Sequence, residues 1–150
     1  MSWQTVVGGL ETLLEGVTGF GAAQVSQDDY TILNKGVSKA IVLHHGPARV
    51  ENQGLSGTFD IWRTMEVRLF EQYKNPADTE NDLRDDLELI MQKVFEYPKL
   101  NATAGVLGTF VRGISDSGTP PEELVSQPNR WRSRTLEVEI WEHSTTVFSE

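Results

Sequence analysis

The sequence predicts an α+β domain, in which a mainly antiparallel four-stranded sheet carries two helices on one face in the order α-β-β-α-β-β. Residues 59–73 alternate apolar and polar side chains over an unusual length, and residues 134–143 do so over a shorter one. Residues 79–97 repeat apolar side chains at helical spacing behind a group of acids. Because 150 residues is an ordinary size for one domain, we expect residues 1–150 to fold as a single unit.

The first helix is predicted over residues 3–15, although Gly8 and Gly9 inside it each cost about 1 kcal/mol relative to alanine. Its apolar positions follow helical spacing: Val6, Val7, Leu10, Leu13, Leu14 and Val17. Residues 18–39 show no sustained period. We therefore expect a long connection there, with room for a short strand around residues 30–33.

The first hairpin is predicted from residues 40–46, a β-rich run that we expect to end at Gly46 and Pro47, and from the long strand that starts at residue 59. A polar connection over residues 48–57 joins the two strands. The inward set of the long strand is Phe59, Ile61, Met65, Val67 and Leu69. The opposite set includes two large aromatics: Asp60, Trp62, Thr64, Glu66, Arg68 and Phe70.

The second helix is predicted to begin at Thr79, which would act as its N-cap with Asp82 completing a capping box, and to stop before Pro98. Its apolar face is formed by Leu83, Leu87, Ile90, Met91, Val94 and Tyr97. Strands follow over residues 106–114 and 134–143, the latter with Leu136, Val138 and Ile140 inward. The long connection between them, residues 115–129, is the second arm that this small core does not require.

The composition of the chain argues against several classes of function. A formal net charge of −9 argues against a nucleic-acid binder held by phosphate contacts. Without cysteine, neither disulfides nor thiolate metal sites nor cysteine nucleophiles are available. We see neither a signal peptide nor a run of about 20 apolar residues, and expect a soluble, cytoplasmic protein without membrane contact.

No group of residues predicts a catalytic, metal or cofactor site. His44 and His45 are adjacent on a strand, so their side chains should face opposite sides and not bind one ion. The glycines of residues 19–21 lack the remainder of a dinucleotide fingerprint. Glu137 and Glu139 share a strand face and are expected to meet arginines such as Arg63, Arg68 or Arg112. We therefore expect no enzyme; a small acid-using enzyme and a ligand-sensing domain are remote alternatives.

Tryptophan and arginine side chains that the core does not need predict a protein interface, since these residues are the most enriched at interface hot spots. The predicted interface residues are Trp62, Arg63, Arg68, Arg112, Trp131, Arg132 and Arg134. The alternative is a second packing layer within the subunit, surrounded by solvated charges.

Three segments together resemble the tail terminator proteins of long-tailed, siphovirus-type bacteriophages: residues 41–73, 79–97 and 108–143. The resemblance covers about residues 40–143 and concerns the order and lengths of the elements. The domain begins with a helix, continues with a hairpin that has a long second strand and a helix with acidic residues at its start, and ends with a pair of strands, the last of which contains EVEIW. It implies a homo-oligomeric ring, typically a hexamer, that caps the tail tube, ends its polymerisation and offers a surface to the head connector or neck protein.

Such a ring belongs to the virion at the tail end of the neck, after assembly in the host cytoplasm. Its acidic subunits would let DNA pass through the bore without specific binding. The nearest alternative is another neck, head-completion or tail-completion protein, because small virion ring proteins share this composition.

Overall fold

The computed structural model describes residues 3–52, 59–116, 120 and 123–144, which form one mixed sheet with two α-helices. The helices are α1, Trp3–Glu15, and α2, Pro76–Glu96. The strands are β1, Val25–Gln27; β2, Lys39–Asn52; β3, Phe59–Gln72; β4, Val106–Asp116; and β5, Trp131–Ser144. They lie in the order β1-β2-β3-β5-β4, antiparallel except for the β1–β2 pair. The α+β class is confirmed, whereas the predicted count of four strands is wrong.

The additional strand is β1, whose three residues pair in parallel with Ile41, Val42 and Leu43 of β2. So short a strand shows too little alternation to be distinguished from a loop in the sequence. The strand expected around residues 30–33 is instead a 3₁₀-helix over Tyr30–Asn34. Asp29 caps that helix, since its side chain accepts a hydrogen bond from Thr31 N at 3.0 Å.

The two hairpin arms are shorter than predicted because β2 and β4 continue into them. A bulge between His45 and Ala48 absorbs Gly46 and Pro47, so that β2 runs on to Asn52 rather than ending there. Gly46 is needed in the bulge, since a Cβ there would lie 3.1 Å from the Thr64 carbonyl oxygen. Part of the predicted arms, residues 53–57, 117–119 and 121–122, lies outside the described residues.

The main core lies between the two helices and one side of the sheet, which we call the helix-bearing face. Phe59 and Ile61, predicted to face inward, are half-buried there. Eight other inward strand positions are fully buried: Ile41, Leu43, Met65, Val67, Leu69, Leu136, Val138 and Ile140. Apolar residues of α1 and α2 join the same cluster, as predicted for two helices on one face. Each such side chain stabilises the fold by about 1.5–3 kcal/mol.

The N-cap of helix α2 lies four residues earlier than predicted. Asn75 is its N-cap, and the Asn75 side chain accepts a hydrogen bond from Asp78 N at 2.9 Å. Pro76 then occupies the first turn, where a missing N–H costs nothing. Thr79, the predicted cap, is buried inside the first turns and accepts a hydrogen bond from Lys74 N at 3.0 Å. The helix ends at Glu96, before Pro98, as expected.

A second, smaller core covers part of the opposite side of the sheet, which we call the helix-free face. Its members come from the 3₁₀-helix, three strands and the second arm: Tyr30, Ile32, Leu33, Ala40, Val42, Phe70, Val125 and Trp131. Asn34 fastens the arm, donating from Nδ2 to Leu124 O at 2.8 Å and accepting from Ser126 N at 3.0 Å. The described part of the arm therefore packs on its own subunit.

Alanine substitutions at the two adjacent glycines of α1 are expected to change stability in opposite directions. A Cβ at Gly9 would overlap Thr103 Oγ1 and lie 3.1 Å from both Thr103 Cβ and Cγ2. Rotation of Thr103 gives no relief, because Oγ1 donates to Leu100 O at 2.8 Å. A Cβ at Gly8 would meet nothing within 4 Å.

We expect Gly9→Ala to lower the free energy of unfolding by about 1–3 kcal/mol through overpacking. Gly8→Ala, the matched control, should raise it by about 0.5–1 kcal/mol, because alanine is the better helix former. Urea unfolding of the two variants measures both effects. Equal stabilisation by the two substitutions would show that α1 does not pack against Thr103 as described.

Candidate protein-interaction surface

Of the seven residues predicted to form an interface, two pairs lie at two separate sites, and the other three contact their own subunit. Trp62 and Arg112 lie on the helix-free face, away from its small core. Arg132 and Arg134 lie together beside the start of α2. The others contact their own subunit: Arg63 pairs with buried Glu142, Arg68 with Tyr30 and Glu66, and Trp131 is 3% exposed in the second core.

Around Trp62 and Arg112 the structure builds what we call the aromatic patch, formed by Arg49, Trp62, Phe110, Arg112 and Trp141. Trp62 and Trp141 are cross-strand neighbours, and their rings stack with centroids 5.0 Å apart and planes 5° from parallel. The Phe110 ring lies 6.0 Å from that of Trp62. The guanidinium carbons of Arg49 and Arg112 lie 5.3 Å from the Trp62 ring and 4.9 Å from the Phe110 ring. Aromatic stacking and cation–π contacts thus hold the patch rigid.

The two indole N–H groups of the patch differ. Trp141 Nε1 donates to Asp60 Oδ2 at 3.1 Å, and the other carboxylate oxygen of Asp60 lies 2.5 Å from His143 Nδ1. Trp62 Nε1 is buried and has no hydrogen-bond partner among the described residues. A buried donor without an acceptor costs about 1–3 kcal/mol. The patch therefore contains one buried polar group without an acceptor among the described residues.

Charged residues surround the patch in pairs. Arg112 Nη2 lies 3.2 Å from Glu139 Oε1, as expected for an arginine facing that glutamate across the sheet. Glu66 and Glu137 are directly opposite each other, and Arg68 Nη2 contacts Glu66 Oε2 at 2.8 Å. Arg68 thereby offsets the repulsion between two like charges on neighbouring strands.

A cleft of about 550 Å³ lies between the start of α2 and the neighbouring ends of β4 and β5. Arg132 lies across its wall, with the guanidinium carbon 4.6 Å from the Tyr73 ring. Arg134 pairs with Glu80 at 2.6 Å and also with Asp116. The charges of the cleft are thus largely satisfied within the subunit, and only Arg132 presents an exposed arginine there.

His44 and His45 lie on opposite faces of β2, as expected, since their partners in β3 are Glu66 and Met65, but both rings contact the same carboxylate. His44 Nδ1 lies 2.7 Å from Asp28 Oδ1, and His45 Nε2 lies 3.6 Å from the other oxygen of the same carboxylate. Asp28 directly follows the short edge strand β1, so its carboxylate can approach both rings from beside the sheet. No group of three or more potential ligands is close enough to hold a metal ion in the described part of the chain.

The predicted interface residues omit three members of the patch: Arg49, Phe110 and Trp141. Phe110 could have been found, because in the run VLGTFVRGI it lies one position from inward-facing residues and therefore faces outward. Arg49 was assigned to a connection, and only the bulge that extends β2 brings it beside Trp62.

No protein-family model matches the chain, and no curated protein matches it either. Within the described ranges, neither α-helix is both long and apolar enough to cross a bilayer.

Proposed function

We propose that the chain is a tail-terminator-like structural protein of a long-tailed phage, which forms a ring that caps the tail tube and ends its polymerisation. The observation that carries this proposal is the aromatic patch, a rigid group of aromatic and arginine side chains on a sheet face that no described element covers. Such a group is typical of interface hot spots. The resemblance in element order supplies the particular family.

The seven predicted interface residues have different roles in this proposal. Trp62, Arg112 and Arg132 retain exposed or half-exposed side chains and are the candidates for direct contacts with a neighbour or with the tube. Arg63, Arg68, Trp131 and Arg134 are engaged within the subunit, and their role is to hold the contact surface in shape.

A ring also suits the charge of the chain. Each subunit carries a formal charge of −9, so a bore built from such subunits repels DNA and lets it slide through. A head-to-tail ring requires two different contact patches on each subunit. The aromatic patch and the surface around Arg132 lie on different parts of the sheet, and each is a candidate for contacts with a neighbouring subunit or with the tube.

Native mass spectrometry of the purified protein, alone and mixed with tail tube protein, tests the proposal. We expect one closed oligomer whose mass is a whole multiple of 16.8 kDa, and its capture at one end of preformed tubes. A strict monomer that ignores tail tubes would contradict the proposal.

Electron microscopy of phage particles that lack the protein separates a terminator from its nearest alternative. Overlong tails are the expected result for a terminator, because polymerisation is then not stopped. Tails of normal length beside intact, unattached heads would instead assign the protein a head–tail joining role.

A further inference from the structure

The sheet has two open edges on opposite sides. Strand β4, at one end of the strand order, pairs with β5 alone among the described residues. At the other end, β1 covers only residues 41–43 of β2. Among the described residues, residues 48–52 of β2 therefore pair with β3 alone.

Both open edges expose apolar side chains. On β4, Leu107, Phe110 and Ile114 are 42%, 36% and 53% exposed, and on β2, Val50 is 60% exposed. Soluble proteins usually protect long edge strands with lysine, proline, bulges or a very short strand. β4 has eleven residues, two irregularities and one arginine, but no lysine or proline. The two irregularities and Arg112 give this edge part of that protection, while Leu107, Phe110 and Ile114 stay exposed along it.

The strand directions fit one kind of partner, a second copy of this chain. β2 and β5 run in one direction and β3 and β4 in the other, because each of the three pairs along the sheet is antiparallel. Two subunits related by a rotation about an axis roughly along the strands keep these directions. The β4 strand of one copy would then lie antiparallel to the β2 strand of the next, and an antiparallel pair needs no rearrangement of either edge.

We infer that the open edge of β4 in one subunit pairs with residues 48–52 of β2 in the next, which joins the sheets of neighbouring subunits head to tail. This inference rests on the proposed ring and specifies how its subunits contact each other. The same asymmetric contact, repeated by rotation, closes a ring.

Side chains at the two edges complement each other. Val50 and Ile114 both belong to the helix-bearing side, since their partners in the sheet are Ile61 and Leu136. An antiparallel alignment of Val50 with Ile114 covers both apolar side chains. In this register Glu51 lies opposite Gly113 and next to the bulged Arg112 on the helix-free side, where opposite charges on adjacent strands attract.

Cysteine cross-linking tests the contact directly, because the chain contains no cysteine of its own. Val50→Cys is combined in turn with Leu107→Cys, Phe110→Cys, Arg112→Cys and Ile114→Cys, which sample β4 along its length. Adjacent strands bring at least one such pair within the separation of 4.4–6.8 Å between Cα atoms that a disulfide requires. We expect a ladder of covalent oligomers up to the full ring on a non-reducing gel.

The control pair is Val50→Cys with Leu124→Cys, which is exposed on the second arm and should not give a ladder. A ring seen by native mass spectrometry without any β2–β4 ladder would overturn this inference and leave the proposed function standing. Dimers formed by Ile114→Cys alone would overturn it in favour of a twofold β4–β4 contact. A monomer without cross-links would remove both proposals.

Amide hydrogen exchange on the unmodified protein gives a second readout that does not depend on the folding of cysteine variants. Outward-facing amides of β4 and of residues 48–52 should exchange at least about tenfold more slowly in the assembled ring than in dilute subunits. Equal exchange in ring and subunit would overturn the edge pairing.

Discussion

Replacing Glu71 by glutamine is expected to stabilise the protein increasingly as the pH rises from 5 to 9. Glu71 is 5% exposed on the helix-bearing face, and its Oε2 atom has no hydrogen-bond partner among the described residues. Burial, together with a hydrogen bond to Asp86 and the charges of Asp86 and Asp82, raises the pKa of Glu71 to about 9, although Lys39 partly opposes this. At neutral pH, Glu71 is therefore protonated in the folded protein.

The direction of the effect follows from the pKa of Glu71 in the two states. It is about 9 in the folded chain and has its ordinary value of 4.5 in the unfolded chain. The folded state thus binds one proton that the unfolded state lacks over this range. The free energy of unfolding then falls by up to about 1.4 kcal/mol per pH unit as the pH rises from 4.5 towards 9.

Glu71→Gln removes this dependence, because the amide can donate to Asp86 without taking up a proton. The variant should match the wild type near pH 4.5 and exceed its free energy of unfolding by at least about 1–2 kcal/mol at pH 8. Urea unfolding across this pH range measures the difference.

Glu88→Gln is the matched control, since Glu88 is exposed on the same helix as Asp86. This control should keep the wild-type slope. If Glu71→Gln also kept that slope, Glu71 would be ionised in the folded protein.

The sequence predicted the parts of the fold whose signal is local. The alternation around Met65, Val67 and Leu69 located β3 and its inward side, and helical spacing located the buried face of α2. The start of α2 was misplaced because Asn75 and Thr79 are both good N-caps. Pro76, which favours the first helical position, was the local signal that decided between them.

The sequence could not show what covers an outward-facing aromatic. Phe70 and Trp62 alternate in the same way along β3, yet Phe70 is buried under the second arm and Trp62 lies in the uncovered aromatic patch. The difference arises because residues 123–131 pack over Phe70 and not over Trp62. That packing joins residues far apart in the chain, so no local pattern predicts it. Trp131 was for the same reason predicted to meet a partner, although within the single chain it packs against its own sheet.

Arg63→Met is expected to cause one of the largest losses of stability in the chain. Arg63 Nε donates to Glu142 Oε2 across the strands of the helix-bearing face, and the Glu142 side chain is only 2% exposed. Burial raises the pKa of Glu142, and the charge and hydrogen bond of Arg63 partly counteract that rise. Loss of the guanidinium would leave a buried carboxylate uncompensated, which typically costs about 3–5 kcal/mol.

The pH dependence of this loss has a definite sign. Without Arg63 the pKa of Glu142 should rise further, so the carboxyl group must take up a proton to stay buried. The destabilisation should therefore be small near pH 4.5, where the unfolded chain also begins to protonate, and should grow as the pH rises.

A double-mutant cycle separates the pair from its surroundings. Arg63→Met combined with Glu142→Leu should recover most of the loss, because an apolar pair can replace a buried ion pair at little cost. Arg112→Met is the control: Arg112 and Glu139 are 47% and 18% exposed, and a pair so open to solvent contributes at most about 1 kcal/mol.

Urea unfolding of the four members of the cycle and the control, at pH 5 and pH 8, gives the coupling energy. A loss below about 1 kcal/mol for Arg63→Met at both pH values would show that solvent reaches Glu142. The strands β3 and β5 would then be open to solvent at the end where residue 61 lies opposite Glu142. Trp62 and Trp141 of the aromatic patch lie on the opposite face of these two strands, so the patch would lose the rigid support that its proposed role requires.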